Sequence, residues 1–322
     1  MHMYFSDGSK LAPASLIVGD RRFCFLKRMT SLVALLAGVG LALAQVAIPP
    51  TTISSSAVNT NDLGFLVRTV AIDWPGAGSS GWMNSVANME QVLGPLTTNT
   101  GPSHLPSAGM AIDPTSGYYA TNCANFLGGE NPNIAAMLAE QGAGITGCVV
   151  PADSNGFWVL DTKNFTYPYI NCDGNGPPSV GNGVFNYPQY PHNYFPGVPT
   201  CANPGQGNNW ESIACSFMGY MWLPAGVTTL NVNSDDGFLL MLSPLPNPYD
   251  VRGLVVVGEY DGGRGSATST MTVSVAQAGW YTVRLDYEQG GGSIVCELFS
   301  TDGNSQNWLV NDTNSEIGRA HV

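Results

Sequence analysis

The chain has 322 residues, with 11 Lys and Arg against 23 Asp and Glu, a formal net charge of −12 at pH 7, and 39 glycines and 22 prolines. A surface of that sign repels phosphate backbones and anionic lipid heads, which excludes nucleic acid as a partner. Few charges beside abundant Gly, Pro, Ser, Thr and Asn fit a loop-rich, exported β protein rather than a helical one.

In chain order, Arg21, Arg22, Lys27 and Arg28 precede an apolar run over residues 32–44 that closes on Ala42-Leu43-Ala44. That is the charged, apolar, small-residue order of a secretory signal, and the run is too short to span a bilayer. We expect cleavage after Ala44, an over-extended start at residues 1–20, and no membrane span in the mature chain. Without Asp7 and Asp20, 21 acids remain in residues 45–316 against Arg68, Lys163, Arg252, Arg264 and Arg284, a net charge of −16. Residues 45–61 read as a polar Pro- and Thr-bearing linker, and 62–312 as the domain. Within it, residues 64–72 read as a first strand, 84–93 as a short helix capped by Asn84, and 133–141 as a second helix. Residues 99–208 read as a loop-rich insertion carrying cysteines and crowded aromatics. From 213 to 312 the pattern regularises. Residues 213–223, 227–233, 238–242, 254–260, 270–275, 281–288, 294–299 and 308–311 are apolar or alternating runs at roughly ten-residue spacing. Such spacing predicts an all-β chain, an antiparallel β-sandwich or barrel with one or two short helices. Residues 317–322, Ile-Gly-Arg-Ala-His-Val, resemble one translated frame of a sequencing adapter, and the natural protein is then expected to continue beyond Glu316.

Cys123, Cys148, Cys172, Cys201, Cys215 and Cys296 remain after the signal, an even number in an exported chain, and disulfides are expected in one of 15 pairings. No C-x-x-C occurs, which argues against zinc and against a thioredoxin-like role.

The candidate site is Asn233-Ser234-Asp235-Asp236-Gly237-Phe238. Vicinal carboxylates repel, and a chain with few charges gains little by pairing them at a strand end. Hard cations take clustered carboxylate and carbonyl oxygens, so a calcium-supported site is the sharp reading. A solvated acidic turn is the bland one. Successive strand side chains point to opposite faces, so both carboxylates reach one ion only across an unusual backbone, for example a strained or cis peptide. The flanking Asn231-Val232-Asn233-Ser234-Asp235 imitates an EF-hand, but its glycine comes one place late and the twelfth position is Leu242, so that loop is rejected. Asp261-Gly262-Gly263-Arg264-Gly265 reads as a tight turn with a salt-bridged Arg264 or as part of the site.

Other constellations carry less. The aromatics Phe157, Trp158, Phe165, Tyr167, Tyr169, Phe185, Tyr187, Tyr190, Tyr194 and Phe195 suit sugar stacking, but they equally glue an irregular insertion together, which is the expectation here. His104 and His192 adjoin no nucleophile or acidic motif, and G-x-S-x-G, H-E-x-x-H and P-loop signatures are absent. Asp286 and Glu288 could pair for glycoside hydrolysis, yet they alternate along one strand and read as a solvated face. No enzyme is expected. Asn164 and Asn311 head glycosylation sequons.

The stretches LPAGVTTLNVNSDDGFLLML, AGWYTVRLDYEQGGGS and ELFSTDG resemble the anthrax protective-antigen N-terminal domain family. GEYDGGRG and a closing LVND are similar to a bacterial extracellular variant of it. Good matching spans residues 213–312, with a thinner match back to Gly64. The resemblance implies a β-sandwich found in adhesins, glycosidases and toxins and often used for binding glycans. It further implies that an Asp-Asp pair joined by a cis peptide, here Asp235 and Asp236, holds calcium that touches sugar hydroxyls. The second calcium loop would be Glu288-Gln289-Gly290-Gly291-Gly292-Ser293. It departs from the adhesin pattern, with Glu288 as the metal ligand in place of an asparagine and Gln289 and Arg264 as ligand-contacting groups. These readings converge on a secreted or cell-surface module that binds an extracellular glycan or polysaccharide with calcium. The competing class is a structural spacer of a larger surface protein or extracellular hydrolase.

Overall fold

A computed structural model of the chain describes residues 45–61, 63–72, 84–93, 110–113, 118–122, 158–160, 168–173, 183–186, 189–190, 192–193, 195, 213–246, 253–315 and 320–321. The expected signal, the second helix, Cys123, Cys148, Cys201, His104 and the aromatics Phe157, Phe165, Tyr167, Tyr187 and Tyr194 lie outside the described residues.

The described residues form two sheets. The first is ordered β1 (Val46–Ile48), β11 (Ala267–Val275), β8 (Gly226–Asp235), β13 (Val295–Thr301) and β14 (Asn307–Leu309), with β6 (Asn171–Asp173) also paired to β13. The second is ordered β10 (Val255–Tyr260), β9 (Phe238–Ser243), β12 (Gly279–Gln289), β7 (Ile213–Leu223), β2 (Phe65–Ile72), β4 (Tyr118–Asn122) and β3 (Met110–Asp113). On it, β5 (Trp158–Leu160) adds to β2 and β15 (Ala320–His321) to β7. The ladders are antiparallel apart from β1 on β11, which is parallel. The architecture is the expected β-sandwich.

Period-two patterning explains the core. Tyr281, Val283, Leu285 and Tyr287 of β12 share one buried cluster with Phe217, Leu240, Leu230, Val232, Val273 and Leu298. That places alternate residues of both sheets between them.

Three expectations change. First, residues 45–61 are part of the fold rather than a linker. Val46–Ile48 pairs with Val273–Val275, and Ile48, Ile53 and Val58 are buried. Second, Asp286 and Glu288 do not lie on a solvated face; both are fully buried. The helix α1 (Val86–Leu93) covers that side of the second sheet, packing Met89, Val92 and Leu93 on Val70, Ala214, Leu239 and Met241. Beneath it Arg284 Nη2 lies 2.6 Å from Asp286 Oδ2 and 3.5 Å from Glu90 Oε1. Burial, and then the Asp286 charge, push the Glu90 carboxyl up to about 8. Third, Cys172, Cys215 and Cys296 are free thiols, not disulfides. They sit inside the apolar core, where a thiol packs as a small hydrophobe. Burial raises all three, Cys215 to about 12.

At the end of the chain, Ala320 and His321 pair with Met221 and Tyr220 of β7. Gly64 N–H donates to Ala320 O at 3.0 Å. Part of the insertion docks on the first sheet through Glu297, whose carboxylate accepts from Val184 N and Phe185 N at 2.9 Å each and from Asn233 Nδ2 at 2.8 Å. The described aromatics pack this docking, as expected for glue: Phe185 meets Tyr190 and Phe299 edge-on, both at 5.0 Å, and Phe195 stacks on Tyr287 at 5.3 Å.

Candidate functional site

Asp235 is the last residue of β8, and Asp236-Gly237 turns the chain into β9. The Asp235–Asp236 peptide is cis. The glycine that follows is required by space. A Cβ at Gly237 would stand 2.4 Å from Glu288 Oε1 and 2.7 Å from the carbonyl oxygen of Tyr260.

Both aspartates are nearly buried, 7% and 5% exposed, and backbone amides hold them from two loops. Asp236 Oδ1 accepts from Arg264 N and its Oδ2 from Gly290 N, each at 2.8 Å. The backbone N–H of Ser266 favours the Asp235 carboxylate. Burial, and then the charge of Asp236, nonetheless push the Asp235 carboxyl up to about 6. A carboxylate offers about four lone-pair positions, and one or two amide bonds leave the rest open.

Arg264 belongs to the site, where its charge acts on both aspartates while its side-chain donors go elsewhere. Its Nε donates to Ser234 O at 3.2 Å, Nη2 to Ser234 Oγ at 2.6 Å and Nη1 to Ser269 Oγ at 2.9 Å. Its guanidinium lies 4.2 Å above the Tyr260 ring, a cation–π contact. Ser234 Oγ in turn donates to Asp236 O at 2.7 Å, so the arginine braces the pair through backbone and hydroxyl.

Gln289 is turned inward. It is fully buried, its Oε1 accepts from Tyr287 O–H at 2.8 Å, and its Nε2 donates to Ser293 O at 2.8 Å. It shapes the glycine loop instead of facing a ligand. Tyr287 O–H also bonds Asp235 O. Glu288 stands on the outer side of β12 with its carboxyl over Gly237. Neither of its oxygens has a hydrogen-bond partner of ordinary geometry. Burial, and then the Asp236 charge, push it up to about 9, with the Gly237 N–H opposing. Among the described residues, no three His, Cys, Asp or Glu side chains gather as a metal cage, so Glu288 does not complete one with the aspartates.

Reading the residues alone placed Asp261 in the turn that carries Arg264 but missed its contact with the helix. Its Oδ1 accepts from Val86 N at 2.7 Å and so caps α1 in place of Asn84. The loop that presents Arg264 and Ser266 to the aspartates is therefore pinned to the helix. Asn84 lies against the same loop, where a Cβ on Gly263 would approach its Nδ2 to 2.6 Å. The partners are 175 residues apart, and no local pattern could have signalled the contact.

No family model matches the chain. No curated protein matches it either. Among solved structures, it is similar to the PA14 domain of the MpAFP antifreeze protein, at 19% identity and a TM-score of 0.26 over 35% of this chain and 54% of that one. It is similar to a PA14 sugar-binding domain from an RTX adhesin, at 17% identity and a TM-score of 0.25 over 41% and 58%. The Epithelial Adhesin 9 A domain from Candida glabrata, in complex with Galb1-3GlcNAc, gives 11% identity and a TM-score of 0.38 over 86% and 97%. The chain thus spans a little over half the length of the two PA14 chains. Among the described residues no helix is long and apolar enough to cross a membrane.

Proposed function

We propose that the chain is a secreted carbohydrate-binding or adhesion module in which Asp235 and Asp236 together hold a calcium ion that touches sugar hydroxyls. One observation carries the reading. Two adjacent, nearly buried carboxylates lie side by side at a sheet end, and the nearby guanidinium spends its donors on Ser234 and Ser269 rather than on them. Two carboxylates share the field of one guanidinium, which leaves an excess of buried negative charge that is costly and that a cation would relieve. The donor set suits calcium: two carboxylates, with carbonyl oxygens and water able to fill a flexible shell. Bound calcium would supply a positive centre for hydroxyl oxygens, while this chain's loops set which sugars reach it.

The spacer reading has its own support. The aspartates already accept backbone amides from both neighbouring loops, as a structural staple would.

Calcium titration separates the two. Extracellular calcium modules have dissociation constants of about 10⁻⁴–10⁻³ M. At ten times that concentration, mass action stabilises the fold by roughly 1.4 kcal/mol, and the melting midpoint rises by about 3–6 °C. The shift should vanish with EGTA and in Asp236→Asn, and a glycan array should show binding only with calcium. A folded parent protein that gives neither a melting shift nor a calorimetric signal is a spacer.

A further inference from the structure

The far end of the sandwich holds a second candidate site. Strands β7, β8 and β12 run between two poles. Ile213, Asp235 and Gln289 mark one pole; Leu223, Gly226 and Gly279 mark the other. The ten residues of β8 separate them by roughly 30 Å, at about 3.3 Å per residue. At the far pole a groove of about 290 Å³ is lined by Thr51, Thr52, Ser55, Trp222, Gln277 and Trp280, with their immediate neighbours. It sits close to the lower end of small-molecule clefts, about 300–1,000 Å³, with room for one or two sugar rings.

Its chemistry is specific in three respects. No residue lining it is ionisable. Trp222 is 38% exposed, one of few large apolar side chains left open among the described residues. Its orientation is fixed by an edge-on contact with Trp280, at 5.5 Å and 76°. Trp280 is itself anchored among Ile53 and Val58, with the His321 ring 5.0 Å away. Around the indole stand hydroxyls and an amide. Thr51 and Thr52 spend their hydroxyl protons on backbone carbonyls, including Pro244 O; the Thr51 oxygen also accepts from Ile53 N at 3.1 Å and keeps one lone pair, and Thr52 keeps its acceptor positions. The Ser55 and Gln277 side chains form none of the hydrogen bonds described.

An anion finds no cation here, and the acidic chain repels it. A purely apolar ligand would strip water from the rim without replacing its hydrogen bonds, which costs free energy. A pyranose matches the rest, with a C–H face for the indole and hydroxyls for the rim.

We propose that this groove is a second binding site, for neutral sugar rings, independent of calcium. It does not rest on the aspartate site.

The test is ¹⁹F NMR of protein labelled with 5-fluorotryptophan, in EGTA, with the Trp222 signal assigned by its loss in Trp222→Phe. Cellotriose, xylotriose, chitotriose, laminaritriose and maltotriose are titrated in turn. We expect at least one to shift the Trp222 signal saturably. Trp222→Ala should abolish binding by calorimetry, and Gln277→Ala should weaken it about three- to tenfold, the effect of one lost hydrogen bond. Three results would overturn the proposal. One is no shift of Trp222 by any of the five at concentrations on the order of tens of millimolar. Another is an equal shift by N-acetyl-leucine amide, which makes the groove a bare apolar patch. The last is a shift that needs calcium, which assigns the response to the aspartate pole.

Discussion

Replacing Glu288 by glutamine should stabilise the protein, and by an amount that grows with pH. The glutamate is fully buried, and its carboxyl is pushed up to about 9 by burial and then by Asp236. A group whose folded pKa is raised contributes stability that is complete below its unfolded pKa and lost as pH climbs towards the folded value. From the ordinary value of 4.5 to pH 7 is 2.5 pH units, and at about 1.36 kcal/mol per unit the loss reaches roughly 3 kcal/mol. Relaxation and water entry reduce that, so it is an upper bound. Glutamine has the same shape and nothing to ionise. The melting temperatures of parent and Glu288→Gln should therefore nearly coincide at pH 4.5. They should diverge by up to about 6–12 °C at pH 7, at about 2–4 °C per kcal/mol. Asp235 and Glu90 shift in the same direction, so the parent itself should lose stability as pH rises, and the gap between the two proteins isolates Glu288. The scans are run in EGTA. A gap that stays constant from pH 4.5 to 8 would refute the reasoning. A gap of opposite sign that appears only with calcium would make Glu288 a metal ligand after all.

Asp261→Ala removes the remote cap of α1 and should cost about 1 kcal/mol in urea unfolding; an unchanged midpoint would mean that the 2.7 Å contact does not hold the helix. Gly292 has φ of +95° with open space where a Cβ would go, so Gly292→Ala should destabilise by about 1 kcal/mol through conformation alone. Gly303 has equal space and no such φ, and Gly303→Ala should lie within about 0.5 kcal/mol of the parent; equal effects would remove the argument. Alkylation of the denatured, unreduced protein should label Cys172, Cys215 and Cys296, while the native protein shields them; peptide mapping that finds any of them in a disulfide contradicts this.

The sheet strands were legible because their alternation is a local signal. Tyr281 to Tyr287 announce an inward face two residues at a time, and the structure buries those side chains. The outer face was misread because Arg284, Asp286 and Glu288 look solvated when only one strand is considered. The correcting signal was in β9, where Phe238-Leu239-Leu240-Met241-Leu242 is apolar on both faces, and α1 covers Leu239 and Met241. A strand without alternation is a strand buried twice. The aspartate pair stood out through charge scarcity, whereas the need for its glycine, set by the close approach of Glu288 and Tyr260, came only with the structure. The inward turn of Gln289 was not legible, since it depends on the Tyr287 hydroxyl and on Ser293 folding back four residues later.

The site's stability and its proposed use are linked. Asp235 and Glu288 both carry raised carboxyl pKa values, so near neutral pH each holds the fold below the stability it would have at the ordinary carboxyl value. The surrounding structure offsets this with fixed dipoles: the amides of Arg264 and Gly290 on Asp236, and of Ser266 near Asp235. Those amides come from the same two loops that border the pair, and one loop is pinned to α1 through Asp261. A cation joining the aspartates would relieve a repulsion already built into the folded state, with little reordering of loops that are already held. Pre-organisation of this kind favours affinity, because the ordering entropy is spent in folding rather than at binding. It also means that loosening Asp261 should weaken calcium binding without touching a ligand. A staple with no ion to hold would show the stability loss and nothing more.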